Sequence, residues 1–173
     1  MNIAYTLATA RGDTDLRLLK LATALLEQGY RPCGTVQINT ERADAGPCDM
    51  DVRVLPDGPV IRISQDLGQA SRGCRLDPGA LETAVGHVAA TLAKGADCLI
   101  VNKFGKHEAE GHGFREAIAE ALSRDIPVLV GLNRLNAGAF MAFTENMAVE
   151  VEATDAALLA WMRARIGGAR RAA

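Results

Sequence analysis

The sequence lacks any apolar run of the roughly 18 residues that a membrane-spanning helix needs. Its opening residues, Met1-Asn2-Ile3-Ala4-Tyr5, lack the basic segment and long apolar stretch of a secretion signal. It lacks an excess of charge of one sign: 19 Lys and Arg against 21 Asp and Glu leave a net charge of −2. Such a balance gives no general attraction to nucleic acid or to an anionic bilayer. The four cysteines, Cys33, Cys48, Cys74 and Cys98, show no C-x-x-C spacing, which argues for free thiols over disulfides or a zinc site. No internal repeat or low-complexity tract is visible. These absences predict a cytoplasmic protein that binds neither nucleic acid nor membrane.

What is present suits a compact fold. The 173 residues are 49% hydrophobic and 23% charged, enough apolar content for one core. A single domain is expected over residues 1–166, with 167–173 as a flexible tail. The basic cluster Arg163, Arg165, Arg170 and Arg171 with Gly167-Gly168 reads as a frayed end; a short arm for an acidic partner is the other reading.

Strands and helices alternate. Asn2 to Ala8 reads as a buried strand, and Gly12-Asp13-Thr14-Asp15 as a helix start with acids at its positive end. Leu18, Leu21, Ala22, Leu25 and Leu26 then form a helical stripe within Leu16 to Gln28, stopped by Gly29. Cys33 to Ile38 gives a second strand. After a polar loop at 39–50, Met50 to Leu55 and Val60 to Ser64 flank Pro56-Asp57-Gly58-Pro59, a hairpin signal. A loop from Gln65 to Asp77 leads to Pro78, which opens a helix to Lys94. Cys98 to Asn102 is a third strand, 103–112 a charged and glycine-bearing loop, Gly113 to Arg124 a helix, and Ile126 to Gly131 a fourth strand. A short packed helix holding Phe140, Met141 and Phe143 is expected within Asn133 to Asn146. A strand at Met147 to Val151 and a helix from Thr154 to Ile166 close the chain. This order predicts a three-layer α/β domain, its mainly parallel sheet covered on both faces and carrying an inserted hairpin. Ligands bind such sheets at the carboxyl ends of the strands, where the loops Thr9 to Thr14 and Lys103 to His112 lie.

The third-strand loop reads Asn102-Lys103-Phe104-Gly105-Lys106-His107-Glu108, and the next helix opens with Phe114-Arg115. Here the chain resembles the nucleoside-triphosphatase family first known from thermophiles, which carries D-E-I-G-x-x-E after the same strand and a Phe-Arg pair at the next helix. Gly105, Glu108, Phe114 and Arg115 fit; Asn102 and Lys103 replace the two acids. The second strand, the hairpin and the order of elements through residue 166 agree as well. The chain is still more similar to an uncharacterised bacterial family related to these enzymes. That family's phrases G-x-V-Q, G-C-R-L-D and N-K-F-G-K-x-E-x-x-G-x-G-F-R are matched by Gly34 to Gln37, Gly73 to Asp77 and Asn102 to Arg115. The resemblance implies a P-loop NTPase-like fold and, through some relatives, a link to molybdate uptake; it brings no established activity.

The departures shape the expected function. A phosphate-binding loop needs G-x-x-x-x-G-K-[ST]: backbone N–H groups to face phosphate, a lysine for its charge and a hydroxyl for Mg²⁺. Ala8-Thr9-Ala10-Arg11-Gly12-Asp13-Thr14-Asp15 offers one glycine and no lysine. Asp13 and Asp15 put negative charge where a triphosphate would put its own, a repulsion of roughly 1 kcal/mol even in water. Asn102 stands where a carboxylate would hold Mg²⁺, and Lys103 where an acid would orient water. Conventional ATP hydrolysis is therefore not expected.

A non-hydrolysing nucleotide- or oxyanion-binding or regulatory protein is expected instead, with Arg11, Gly12, Gln37, Asn102, Lys103, Gly105, Lys106 and Arg115 as ligand-binding candidates. Lys103, Lys106 and Arg115 can cradle an anion, or form a surface loop neutralised by Glu108, Glu110 and Glu116. Asn102 ends a buried run, so its amide must find partners; tying the loop to the first strand is one answer. Asp13 and Asp15 read as helix caps before a cation site. Arg11 reads either as an anion fork or as a solvated residue.

No metal is predicted. His107-Glu108-Ala109-Glu110-Gly111-His112 is H-E-x-x-x-H, whose histidines would stand about 140° apart on a helix. Cys74, between Arg72-Gly73 and Arg75, is a candidate reactive thiol; Arg75 and Asp77 can equally fix the entry to the helix at Pro78. Cys33, Cys98 and Trp161 read as packing. Two alternatives stand beside the main reading. One is an active nucleoside triphosphatase with Glu108 as its acid. The other is a protein-interaction scaffold, which an exposed apolar patch at Phe140, Met141 and Phe143 would favour. The partner is thus a small molecule or a protein, and the oligomeric state is left open.

Overall fold

The computed structural model describes residues 2–7, 12–40, 48–66 and 75–172. In chain order the elements are β1 (Ile3–Thr6), α1 (Asp13–Glu27), β2 (Pro32–Thr40), β3 (Asp49–Leu55), β4 (Val60–Arg62), α2 (Pro78–Ala93), β5 (Cys98–Phe104), α3 (Lys106–Ala109), α4 (Arg115–Ser123), β6 (Val128–Leu132), a 3₁₀ turn (Arg134–Asn136), α5 (Ala137–Phe143), β7 (Val149–Glu150) and α6 (Asp155–Ala172). The strands form one sheet in the order β4-β3-β2-β5-β6-β1-β7. β2, β5, β6, β1 and β7 run parallel; β3 and β4 add an antiparallel edge, β3 pairing on β2 from Gly34↔Leu55 to Thr40↔Asp49. The architecture is the expected three-layer α/β fold with an inserted hairpin.

Alternation along the strands divides the core in two. On β5, Leu99 and Val101 join Val52, Val88 and Ile118 beneath α2 and α4. Cys98 and Ile100 join Leu18, Leu25, Leu158 and Met162 beneath α1 and α6. Burying both faces is what the unbroken Leu99-Ile100-Val101 run requires. Gly34 has a positive φ of 110°, and a Cβ there would strike the Ile100 backbone, so only glycine lets β2 and β5 lie this close. The thiols of Cys33 and Cys98 are buried, and burial pushes Cys33 up to about 11 and Cys98 further still. Both are inert packing groups.

Three elements differ from expectation. β5 does not stop at Asn102. Its pairing with β6 shifts between Val101↔Val130 and Phe104↔Leu132, so one extra residue bulges at Asn102-Lys103. Beyond the bulge Phe104 is buried in edge contact with Phe140, at 5.2 Å between ring centroids, and stacked on Phe143 at 5.8 Å. Within the expected loop 103–112, α3 forms one capped turn. The closing helix runs past Ile166 to Ala172. The exposed aromatic patch that would favour a scaffold does not form at α5: Phe140 is fully buried and Phe143 is covered by Arg115, whose guanidinium lies 4.3 Å from its ring. Among the described residues no helix is long and apolar enough to cross a membrane.

Candidate functional site

The bulge on β5 sends adjacent residues to opposite duties. Asn102 is buried and Lys103 exposed. Both polar atoms of the Asn102 amide are engaged: Oδ1 accepts from the Gln37 N–H at 2.9 Å, and Nδ2 donates to Asp15 Oδ1 at 2.8 Å. Asp15 Oδ2 accepts from Asn39 Nδ2 at 2.7 Å. Asn102 therefore ties β5 to β2 and to the start of α1, not to the first strand. Asp13 Oδ2 accepts from Arg17 Nε at 3.0 Å. Both acids sit in the first helical turn, where the dipole favours them. Neither makes a side-chain cap at Gly12, the left-handed N-cap residue with φ 80°. In place of the expected caps, Asp13 pairs with Arg17 one turn along the same helix and Asp15 bonds the side chains of Asn39 and Asn102 on β2 and β5.

Beside the bulge, lined by both Asn102 and Lys103, a cavity of about 420 Å³ opens between β2, β3, β5 and α3. Its floor is apolar, built from Met50, Val52, Ile63, Leu76, Leu81 and Phe114. Gln37, Lys103, Lys106, His107, Asn133 and Asn136 supply polar groups around it. Lys103 has no ion-pair partner among the described residues. Lys106 shares its charge with Glu110 at 3.5 Å, both well exposed. Arg75 Nη1 donates to the Cys48 carbonyl at 2.9 Å and lies near Asp49 at 3.8 Å, which fixes the far wall. Asp77 accepts from the Ala80 N–H at 3.0 Å and caps α2, as the entry to that helix suggested.

Glu108 is 2% exposed. Its Oε2 accepts from the Gly105 N–H at 2.8 Å and its Oε1 from the Phe114 N–H at 3.5 Å. Burial pushes its carboxyl above the usual range, and these N–H groups offset only part of that. Gly113, at φ 62°, packs so closely on this carboxylate that a Cβ would collide with it. The phrase from Gly105 to Phe114 is thus a loop wound around one buried acid. Gly105 and Glu108 come together as a capping pair, Gly105 on the cavity wall. Arg115 turns away to Phe143 and the Glu108 carbonyl, at 3.4 Å, and does not line the cavity. The three-cation cradle is therefore reduced to Lys103 and Lys106. Arg11 and Cys74 lie outside the described residues.

The helical argument against a shared histidine site rested on a helix through 107–112. α3 ends at Ala109, and Gly111 with φ 102° folds the chain back. The rings of His107 and His112 lie 5.1 Å apart, and His107 Nε2 is 2.6 Å from Glu82 Oε1. Partial burial pushes the Glu82 carboxyl up. The bonds to His107 and the Gly113 N–H, with the charge of both imidazoles, outweigh it and hold the carboxyl below its usual range. Among the described residues no group of three or more His, Cys, Asp or Glu is arranged to hold a metal ion.

Cys48, Asn133 and Asn136 were not anticipated at the site. The two asparagines follow β6 at its carboxyl end, where the strand-end rule that selected Lys103 applies equally. Asn133 Oδ1 accepts from the N–H and Nδ2 of Asn136, both at 3.0 Å. Cys48 gave no such signal, because β2–β3 pairing alone brings it to the cavity.

Comparison with known proteins places this geometry in context. A family model described as "Protein of unknown function (DUF2478)" matches residues 3–161. The chain is 32% identical over 161 residues to a molybdenum import ATP-binding protein, ModC 2, of Bradyrhizobium diazoefficiens. That match covers 93% of this chain and 18% of the relative, so the chain spans less than a fifth of that protein's length. The solution structure of a human cancer-related nucleoside triphosphatase superposes with a TM-score of 0.60 at 15% identity, covering 100% of both chains. The fold is P-loop NTPase-like.

Proposed function

The chain belongs to the family described as a protein of unknown function, DUF2478, and from that premise we propose that it binds a nucleotide or small oxyanion at the carboxyl edge of its sheet without hydrolysing nucleoside triphosphate in the standard way. The observation that carries this reading is the side chain of Asn102. It stands where the resemblance puts a metal-holding carboxylate, and its amide is spent on Gln37 and Asp15. Counted from Gly12 as second glycine, Asp13 stands at the lysine of the phosphate-binding pattern and Thr14 at its hydroxyl. The charge at this corner is thereby reversed, which argues for a degenerate motif. Glu108, the remaining candidate acid, has both oxygens engaged in holding its own loop. The Lys103 ammonium and the cavity beside it keep a place for an anionic ligand.

The test is a thermal-shift screen against ATP, GTP, phosphate, sulfate and molybdate with and without Mg²⁺, run beside a phosphate-release assay. A ligand at 100 times its dissociation constant stabilises by about 2.7 kcal/mol. A shift without phosphate release supports the proposal. Metal-dependent release abolished in Glu108→Gln overturns it in favour of an active triphosphatase. No shift with any of them overturns the binding reading.

A second reading rests on the 32% identity with the molybdenum import protein. The chain then serves as a regulatory or interaction module in molybdate uptake. A shift confined to molybdate, or co-purification with an importer subunit, separates it from the first.

A further inference from the structure

We infer that the cavity beside Lys103 takes a nucleoside monophosphate: a flat heterocycle bearing both hydrogen-bond donors and acceptors, with one phosphate group at the lysine. The inference rests on the binding reading above and narrows it to a place and a ligand class. The space, about 420 Å³, is of small-molecule size. Its floor of aliphatic side chains and Phe114 offers apolar contact to the faces of a ring.

Polar groups of both kinds are left over around that floor. Gln37 uses its Nε2 on Asn39 at 2.7 Å, and its Oε1 has no protein partner among the described residues. Asn133 spends its Oδ1 on Asn136 and keeps its Nδ2; Asn136 spends its Nδ2 and keeps its Oδ1. One free amide donor and two free acceptors suit the edge of a base, which presents both kinds of group.

The charge limits the tail. Lys103 is unpaired among the described residues, and Lys106 is shared with Glu110. Arg75 is committed to the Cys48 carbonyl and Asp49. One whole ammonium and part of another balance a single phosphate group. A triphosphate would bring more negative charge than they offset and would leave part of it unpaired. The ring is held by β2, β3 and the residues after β6, so the corner at Gly12 and Asp13 takes no part.

The test combines calorimetric titration of the full chain with a footprint on Cys48. That thiol lines the cavity and is partly exposed, whereas Cys33 and Cys98 are buried. AMP, GMP, CMP, ATP, ribose 5-phosphate and inorganic phosphate are titrated with and without Mg²⁺. Alkylation of Cys48 is followed by peptide mass spectrometry. At least one monophosphate is expected to bind about tenfold or more tighter than ribose 5-phosphate and phosphate, with no gain from a triphosphate or Mg²⁺. It is expected to slow Cys48 alkylation by the fraction bound, and to bind about tenfold more weakly to Lys103→Ala.

Binding of ATP or phosphate that leaves Cys48 unprotected overturns the cavity assignment while the broader proposal stands. Monophosphate binding without Cys48 protection does the same. No binding by any probe, with Cys48 alkylated at its free rate throughout, overturns both.

Discussion

Asn102 and Lys103 are neighbours on one strand, yet they serve two unlike corners of the same sheet edge. On the Asn102 side the oxygens and amide nitrogens of Asp15, Asn39 and Asn102 each already meet a protein partner, the Gln37 backbone N–H among them. On the Lys103 side an ammonium and several amide atoms without a protein partner among the described residues border an apolar hollow. The difference shows how one edge of a P-loop NTPase-like sheet can hold a joint of paired polar groups beside an open hollow. One inserted residue in β5 makes the separation, because a bulge lets consecutive side chains escape strict alternation.

The largest effect is expected from breaking the frame common to both corners. Gly113→Val would force a β-branched residue into a left-handed conformation against the Glu108 carboxylate. Denaturant unfolding should show a loss of about 3 kcal/mol or more; a loss below about 1 kcal/mol would mean the loop repacks freely. Asn102→Leu removes the joint alone. It strands the Gln37 N–H and one Asp15 oxygen, and should cost about 2–3 kcal/mol by the same measurement. If it is neutral, the saturated corner contributes nothing to stability.

Glu108→Gln should cost about 1 kcal/mol at acid pH, since its amide NH₂ faces one N–H that the acid accepted. The pH dependence sharpens this. A carboxyl whose folded pKa is raised gives stability that is full below its unfolded value, about 4.3, and is lost as pH rises through the folded value. The advantage of the natural protein over Glu108→Gln should therefore be greatest near pH 4 and shrink toward pH 7. A constant difference across that range would show that Glu108 titrates normally. The smallest stability effect belongs to the open corner: Lys103→Ala should change unfolding free energy by under about 0.5 kcal/mol while weakening anion binding. A large loss of stability there would erase the contrast between the corners.

The fold was legible because its signals are local. The buried run at Leu99-Ile100-Val101, the stripe from Leu18 to Leu26 and the turn Pro56-Asp57-Gly58-Pro59 each indicate their element without reference to the rest of the chain. The site was legible only in part. Asn102 and Lys103 were singled out by chemistry, but their opposite roles depend on the register between β5 and β6, which neither sequence segment states alone. Glu108 read as one of several loop acids, because its burial follows from the left-handed turn at Gly113 three dimensions away from any periodicity. Arg115 was grouped with the lysines by proximity along the chain; its partner, Phe143, comes from an element almost 30 residues later.

The sheet order has a consequence for the nascent chain. β1 lies between β6 and β7, with Ile3 beside Val128 and Ala4 beside both Leu129 and Val149. As the polypeptide leaves the ribosome, Ile3–Thr6 has no strand to pair with until β6 has been made. β2, β3 and β4, by contrast, can zip together as a local meander. The bond from Asn102 to Asp15 also awaits the placing of α1 against β5. The hairpin wall of the cavity is thus available for early assembly, the Asn102–Asp15 joint can close once β5 meets α1, and the cavity rim at Asn133 and Asn136, which follows β6, is completed last.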